Sequence, residues 1–251
     1  MQLLIDIGNS SVKWALRSAA DGGLSGFGAA LHGGALPLDL LAVWDALSGI
    51  TEVIAAGVGP QPVKDAVTQV CAARFGWTPR WVAAQAESHG VRIAYAVPER
   101  LGVDRFLALI AAHRLAQAEA GRSATLIVDA GTAITYDLLA ADGQHLGGLI
   151  LPGVRMMRDS LLTGTQIPRY EPTNTNLNWA TDTGEAIAAA SIQAPAALTE
   201  RLHQRLAEQS DRAPRLLLTG GDAERLAATM SLQAEQIPDL VLQGLAAFAA
   251  D

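Results

Sequence analysis

Two short segments of the chain place an aspartate, a glycine and small polar residues at the end of an apolar run: Asp6-Ile7-Gly8-Asn9-Ser10 and Asp129-Ala130-Gly131-Thr132-Ala133. A glycine turn in that position lets backbone N–H groups and short side chains approach a polyanion with no Cβ in the way. The chemistry this suits is phosphate binding, with Asp6 and Asp129 as hard oxygen ligands for Mg²⁺ or its waters. A single Asp-x-Gly turn fits equally well a strand-ending aspartate that caps a hairpin. Two at matching positions favour the phosphate reading. Lys13, just beyond the first turn, is either a point charge for a phosphate or a solvated surface lysine.

A third candidate runs from Tyr95 to Arg105, where YAVPERLGVDR leads from an irregular segment into a helical pattern and puts Asp104 at or near a helix start. An aspartate there caps the first turn and complements the helix dipole, contributing about 1 kcal/mol. The alternative is that Asp104 accepts a hydrogen bond from an acceptor hydroxyl and aligns it with a γ-phosphate, while Arg105 offers its fork to a substrate carboxylate. In a loose phosphoryl-transfer transition state, such a base need only orient the alcohol and take its proton late. Gly147 to Gly153 brackets a short strand with glycines and a proline, which fits either a close approach of backbone to a ligand or partner or a plain turn-strand-turn. Thr219-Gly220-Gly221-Asp222 ends an apolar run in a glycine turn on which an adenine or ribose could lie. Neither a G-x-x-x-x-G-K-[ST] nor a G-x-G-x-x-G fingerprint occurs, so other nucleotide folds lose ground.

The elements that must position these residues repeat. LLIDIGNSSVKWAL from Leu3 and LIVDAGTAITYDLL from Leu126 share four identities in fourteen positions, nearly half the chain apart, and each continues in the alternation of a hairpin's second strand. VIAAGVGP from Val53 and LLLTGGDA from Leu216 echo one another as apolar runs ending in glycines. The reading is a duplicated α/β architecture. Its expected division is 1–115, carrying the first turn and the helix after Asp104, and 116–251, carrying the second turn and the Gly220-Gly221 pair. A long Ala-rich helix is expected from Ala186 to Leu206, interrupted at Pro195, and a short one from Pro238 to about Phe248 that packs back on one lobe. Gly22 to Gly34 is too glycine-rich for a helix and reads as a loop and short edge strand with no chemistry of its own.

Composition narrows the classes. With 251 residues, 50% of them apolar, the chain can bury one large core or two modest ones. Its net charge of -7, and the absence of any Lys/Arg block, argue against nucleic acid as a partner. Cys71 is the single cysteine, which leaves no disulfide framework or Cys-based metal cluster and fits a reducing compartment. The amino terminus carries no basic lead-in, and nowhere do about 20 apolar residues run together, so neither export nor a membrane is expected.

Taken in order, DIGNS at Asp6–Ser10, Y-x-x-P-x-x-L-G-x-D-R at Tyr95–Arg105, DAGTAIT at Asp129–Thr135, GGLILPG at Gly147–Gly153 and TGGD at Thr219–Asp222 resemble the type III pantothenate kinases over essentially the whole chain. The resemblance implies that family's fold, the duplicated ribonuclease H-like α/β fold of the acetate kinase, sugar kinase, Hsp70 and actin superfamily, with two lobes of mixed sheets flanked by helices. It also implies the activity, ATP-dependent phosphorylation of pantothenate to 4′-phosphopantothenate, the first step of coenzyme A biosynthesis. The implied setting is a cytoplasmic homodimer using Mg²⁺ and a monovalent cation, K⁺ or NH₄⁺, with pantothenate near the subunit interface.

The roles implied by the resemblance are as follows. Asp6, Gly8, Asn9, Ser10, Ser11, Val12 and Lys13 bind ATP phosphates, together with Gly131, Thr132, Gly220 and Gly221 from the other half. Asp104 is the base, Tyr95, Gly102, Val103, Asp104, Arg105 and Thr183 line the pantothenate pocket, Asp129 holds the monovalent cation and Asp6 the Mg²⁺. The chain departs from the family where Ala188-Ala189-Ala190 replaces a frequent Ser-Gly after Thr183. Two alternatives are another small-molecule kinase of the superfamily and a nucleotide-binding regulatory protein of transcription. The latter needs no acceptor base, so Asp104 and Arg105 beside both turns favour an enzyme.

Overall fold

The apolar run at the amino terminus becomes the central strand of a five-stranded sheet. The computed structural model describes residues 1–117, 123–168, 171–172 and 178–249, and divides into two compact units, Met1–Arg114 with Asp239–Asp251, and Leu115–Pro238. In the first unit β1 (Gln2–Ile7), β2 (Ser11–Arg17) and β3 (Leu24–Leu31) form an antiparallel meander. Helix α1 (Leu38–Asp45), β4 (Glu52–Gly57), α2 (Gln61–Phe75) and β5 (Arg80–Trp81) follow. A small ribbon of β6 (Glu87–Ser88) and β7 (Val91–Arg92), then a short 3₁₀ turn at Pro98–Arg100, lead into α3 (Val103–Gln117). The sheet order is β3-β2-β1-β4-β5, with β4 and β5 parallel to β1.

The second unit repeats this topology. β8 (Thr125–Ala130), β9 (Ala133–Leu139) and β10 (His145–Pro152) form the meander, then come α4 (Val154–Gly164), α5 (Thr183–Glu208), β11 (Arg215–Thr219), α6 (Ala223–Thr229) and β12 (Glu235–Gln236). Its order, β10-β9-β8-β11-β12, is that of the first sheet. The echoing apolar runs VIAAG and LLLT are β4 and β11, the strands parallel to the centre in each sheet. Helix α7 (Leu240–Phe248) belongs to the first unit.

Burial on both faces explains why the central strands read as nearly continuous apolar runs. In β1, Leu3, Ile5 and Ile7 share a core with Trp14, Leu40 and Trp44 and with Val63, Val67 and Cys71 of α2. Trp14 and Trp44 meet edge to face at 6.0 Å and 87°, worth about 0.5–1.5 kcal/mol beyond their buried area. Alternation sends Leu4 and Asp6 to the opposite face from that core, and α7 packs on the sheet. The Gly244 backbone lies against the Leu107 carbonyl so closely that no Cβ would fit. Burial pushes the Cys71 thiol up to about 12, so the nucleophilic thiolate is scarce at neutral pH. Iodoacetamide at pH 8 is expected to leave Cys71 unmodified in the native protein and to label it fully in guanidinium, as read by intact mass.

Two expectations change. Helix α5 runs from Thr183 through Pro195 to Glu208 without interruption. Pro195 is buried, and its carbonyl accepts from Tyr136 Oη (3.1 Å) and Thr199 Oγ1 (2.8 Å), so packing against β9 offsets the lost backbone bond. Gly22 to Gly34 holds a full eight-residue edge strand, β3. Its glycines serve packing, because the Trp14 ring occupies the space a Cβ at Gly28 would take. Among the described residues no helix is long and apolar enough to cross a membrane.

Candidate active site

The two units build their aspartate turns on one plan, with the first turn one residue longer. Asp6 is the penultimate residue of β1 and Asp129 the penultimate residue of β8. Gly8 N–H donates to Ser11 O at 2.9 Å, and Gly131 N–H to Ala133 O at 3.0 Å, closing each turn. The residue after the third strand then braces it: His32 N–H donates to Ser10 O at 2.9 Å in the first unit, and Gly153 N–H to Thr132 O at 3.0 Å in the second. Gly153 can do so because it has no side chain, since a Cβ there would overlap the carbonyls of both Gly131 and Thr132. Of the Gly147–Gly153 segment, it is Gly153 that makes a close backbone approach, and it does so to the second turn of the same chain, not to a ligand or partner.

In the first unit Asp6 lies directly across from Lys13 in the β1–β2 register, and directly opposed residues share a face of the sheet. Asp6 is buried while Lys13 is half-buried. The face therefore presents a carboxylate and an ammonium side by side at the end of the sheet. Gly8, Ser10 and Ser11 are half-buried, Asn9 is exposed and Val12 is buried in the core. Val12 contributes packing under the turn, and only its backbone can reach a ligand.

The glycine turn after β4 ties this region to Asp104. Val58 and Gly59 both donate to Ile7 O, at 3.0 and 2.9 Å, and a Cβ on Gly59 would overlap the Gly8 carbonyl. Val58 in turn lies beside Gly102, with its Cγ1 3.5 Å from where a Gly102 Cβ would stand. Gly102 precedes α3, and its carbonyl accepts from Phe106 N–H at 3.1 Å. An added Cβ at Gly102 would also sit 2.5 Å from Asp104 Oδ1, so glycine here leaves the carboxylate room.

Asp104 is the second residue of α3 and accepts from Arg105 N–H at 2.8 Å. Arg105 is only 6% exposed. Its Nη1 donates to Tyr95 Oη at 3.1 Å and its guanidinium carbon stands 5.8 Å from the Tyr95 ring centroid. A cleft of about 470 Å³ opens beside these residues, with Leu101, Gly102 and Val103 on one wall and Gln61, Lys64 and Thr68 of α2 on another. Tyr95, Gly102, Val103, Asp104 and Arg105 are thus gathered in the first unit, near the turn that holds Asp6.

The remaining positions lie in the second unit. Gly220 has φ +92°, and a Cβ there would come 2.5 Å from Asp129 Oδ1 and from the Ala130 backbone, so the Asp129 carboxylate packs directly against the glycine. Asp222 N–H donates to Ala130 O at 2.9 Å, and Gly221 and Thr132 are exposed. Thr183 is the exposed first residue of α5, and the cap itself is Asp182, whose Oδ1 accepts from Gly184 and Glu185 N–H at 2.8 and 3.2 Å. Asp182 and His32 are site-region residues that sequence reasoning passed over. The Asp182-x-x-Glu185 spacing before an apolar run signals a capping box. For His32 the signal lay only in the hairpin register.

Among the described residues no three His, Cys, Asp or Glu side chains gather into a metal cage. A divalent ion on Asp6 would take most of its ligands from phosphates and water, which is how Mg²⁺ ordinarily binds beside a nucleotide. Asp129, half-buried at the end of β8, offers the hard carboxylate oxygen that a cation would need.

The similarities of the chain agree with this geometry. A family model described as type III pantothenate kinase matches residues 2–205. The type III pantothenate kinase of Nitrosococcus oceani is 36% identical over 256 residues, spanning 100% of this chain and 94% of its own. A solved Baf family protein from Campylobacter jejuni superposes with a TM-score of 0.60 at 21% identity, over 97% of this chain and 94% of its own. The activator of the 2-hydroxyisocaproyl-CoA dehydratase from Clostridium difficile, solved with bound ADPNP, gives 0.53 at 13%, over 100% and 94%. At these identities the solved structures speak for the fold alone, a duplicated α/β fold of mixed sheets flanked by helices. Matched by the family model over most of its length, and by a relative over all of it, the chain belongs to the type III pantothenate kinase family.

Proposed function

We propose that the chain transfers the γ-phosphoryl group of ATP to the primary hydroxyl of pantothenate, giving 4′-phosphopantothenate and ADP, the first step of coenzyme A biosynthesis. The observation that carries this reading is the first-unit cluster in which Asp104 stands at a helix start, beside a buried Arg105 held by Tyr95. A guanidinium fixed by a phenol suits a substrate carboxylate, and an aspartate beside it suits a hydroxyl. The pantothenate oxygen attacks the γ-phosphorus, the bond to the β,γ-bridging oxygen breaks, ADP departs with that electron pair, and the hydroxyl proton passes to Asp104.

The Gly8–Ser11 and Gly131–Thr132 turns hold phosphates through backbone N–H groups, with Lys13 adding a point charge, while Gly220 and Gly221 accept the nucleoside. Nucleotide binding is supported by the ADPNP in the Clostridium activator of the same fold. Mg²⁺, when bound, neutralises charge developing on the bridging oxygen. Asp6 would hold it, Asp129 would hold K⁺ or NH₄⁺, and Thr183 would contact pantothenate. A homodimer accords with the outer edge of β10 and the adjoining α4, where Leu149, Ile150, Met156 and Leu161 are exposed. We place the enzyme in the cytoplasm, with its ATP and its free thiol, acting without nucleic acid or membrane.

A coupled assay of ADP release tests the proposal. ADP is expected only when pantothenate and Mg²⁺ are both present, with the rate falling when K⁺ is exchanged for Na⁺. ADP release at the same rate without pantothenate would overturn the acceptor assignment.

A further inference from the structure

We propose that His32 is the positioning residue of the first phosphate turn, aiming its backbone donors at the nucleotide; the inference rests on the phosphate reading of that turn. His32 is 8% exposed and follows β3 directly. Because β3 is antiparallel to β2, with Leu31 paired to Ser11, the end of β3 arrives where the turn enters β2. There the histidine grips the turn twice. Its backbone N–H donates to Ser10 O, and its ring Nε2 lies 2.9 Å from Gly8 O. A carbonyl only accepts, so Nε2 carries the proton, and Nδ1 accepts from Gly34 N–H at 3.4 Å. Both contacts are those of one neutral tautomer.

The consequence follows from the rigidity of the peptide bond. In a trans peptide C=O and N–H point in opposite directions, so fixing Gly8 C=O on the ring fixes the N–H of Asn9 pointing away from it. The same holds for Ser10 C=O and the N–H of Ser11. Gly8 N–H is already spent on Ser11 O. Asn9 N–H, at the exposed tip, is therefore the donor whose direction His32 sets. Gly59 packs the Gly8 carbonyl from the adjoining turn, so the carbonyl is held by His32 on one contact and confined by Gly59 on another. The second unit keeps the equivalent backbone brace but has Gly153 where the first has His32, so the ring contact belongs to the first turn alone.

The test compares variants by KM and kcat. His32→Leu keeps bulk but loses the donor; it is expected to raise KM for ATP about tenfold, as for a lost hydrogen bond that leaves a carbonyl unsatisfied. KM for pantothenate and kcat at saturating ATP should stay within about twofold. His32→Gln, whose amide nitrogen reaches the position of Nε2, should restore KM for ATP to within about threefold of the parent. Should His32→Leu fail to fold, His32→Asn replaces it, since its shorter amide does not reach Gly8 O. A melting temperature that falls while KM for ATP stays unchanged makes His32 merely structural and overturns the inference, as does a Gln variant no better than Leu. If the parent protein itself neither binds nor turns over ATP, the phosphate reading falls and the inference with it.

Discussion

Asp104→Asn is expected to lower kcat for pantothenate phosphorylation by about 10²- to 10⁴-fold while moving KM for ATP by less than about twofold. The substitution separates the two things an aspartate can do at this helix start. Asp104 Oδ1 accepts the Arg105 N–H, and an asparagine amide oxygen accepts it equally well. That first-turn hydrogen bond therefore survives, and the melting temperature should shift by no more than about a degree or two. What asparagine cannot do is take the hydroxyl proton. A loss of 10² corresponds to about 2.7 kcal/mol of transition-state stabilisation, well beyond what a helix cap contributes. Turnover within a few fold of the parent would show that Asp104 only steadies the first turn of α3. Asp104→Ala removes that hydrogen bond and the base together, and its added loss of melting temperature over Asn measures the hydrogen bond alone.

The fold was legible in the sequence because duplication leaves the same mark twice. An apolar strand buried on both faces, ending in aspartate and glycine, is a pattern that two unrelated strands would seldom share, and it marks the centre of both sheets. The glycines after β4 and β11 were legible as turns, but their purpose was not. Gly59 and Gly220 are small because the Gly8 carbonyl and the Asp129 carboxylate lie against them, and those contacts come from distant parts of the chain. His32 was hidden for the same reason. It meets Gly8 across 24 residues, through a hairpin whose register shifts between Trp14 and Leu16. Pro195 misled because local propensity counts the missing N–H but not the Tyr136 and Thr199 hydroxyls that meet its carbonyl.

Gly220→Ala is expected to disable the second unit's turn and to cost stability at once. At φ +92° an L-residue is strained whatever the space around it, and here there is none. The Ala130 carbonyl and the Asp129 carboxylate both stand 2.5 Å from the new methyl group. The Ala130 atoms are backbone, fixed by the β8–β9 ladder and by the Asp222 N–H bond to Ala130 O, so they cannot step aside. Asp129 must rotate away, or β11 must separate from β8. Overpacking of this kind costs about 1–3 kcal/mol, and at about 2–4 °C per kcal/mol for a chain of this size the melting temperature should fall by several degrees. Displacement of Asp129 would also remove the carboxylate proposed to hold the cation. The variant should therefore lose most of its activation by K⁺ in addition to its lowered melting point, whereas a control such as Gly164→Ala, with open space around it, should change neither. Full K⁺ activation retained by both Gly220→Ala and Asp129→Asn would mean that Asp129 does not hold the cation.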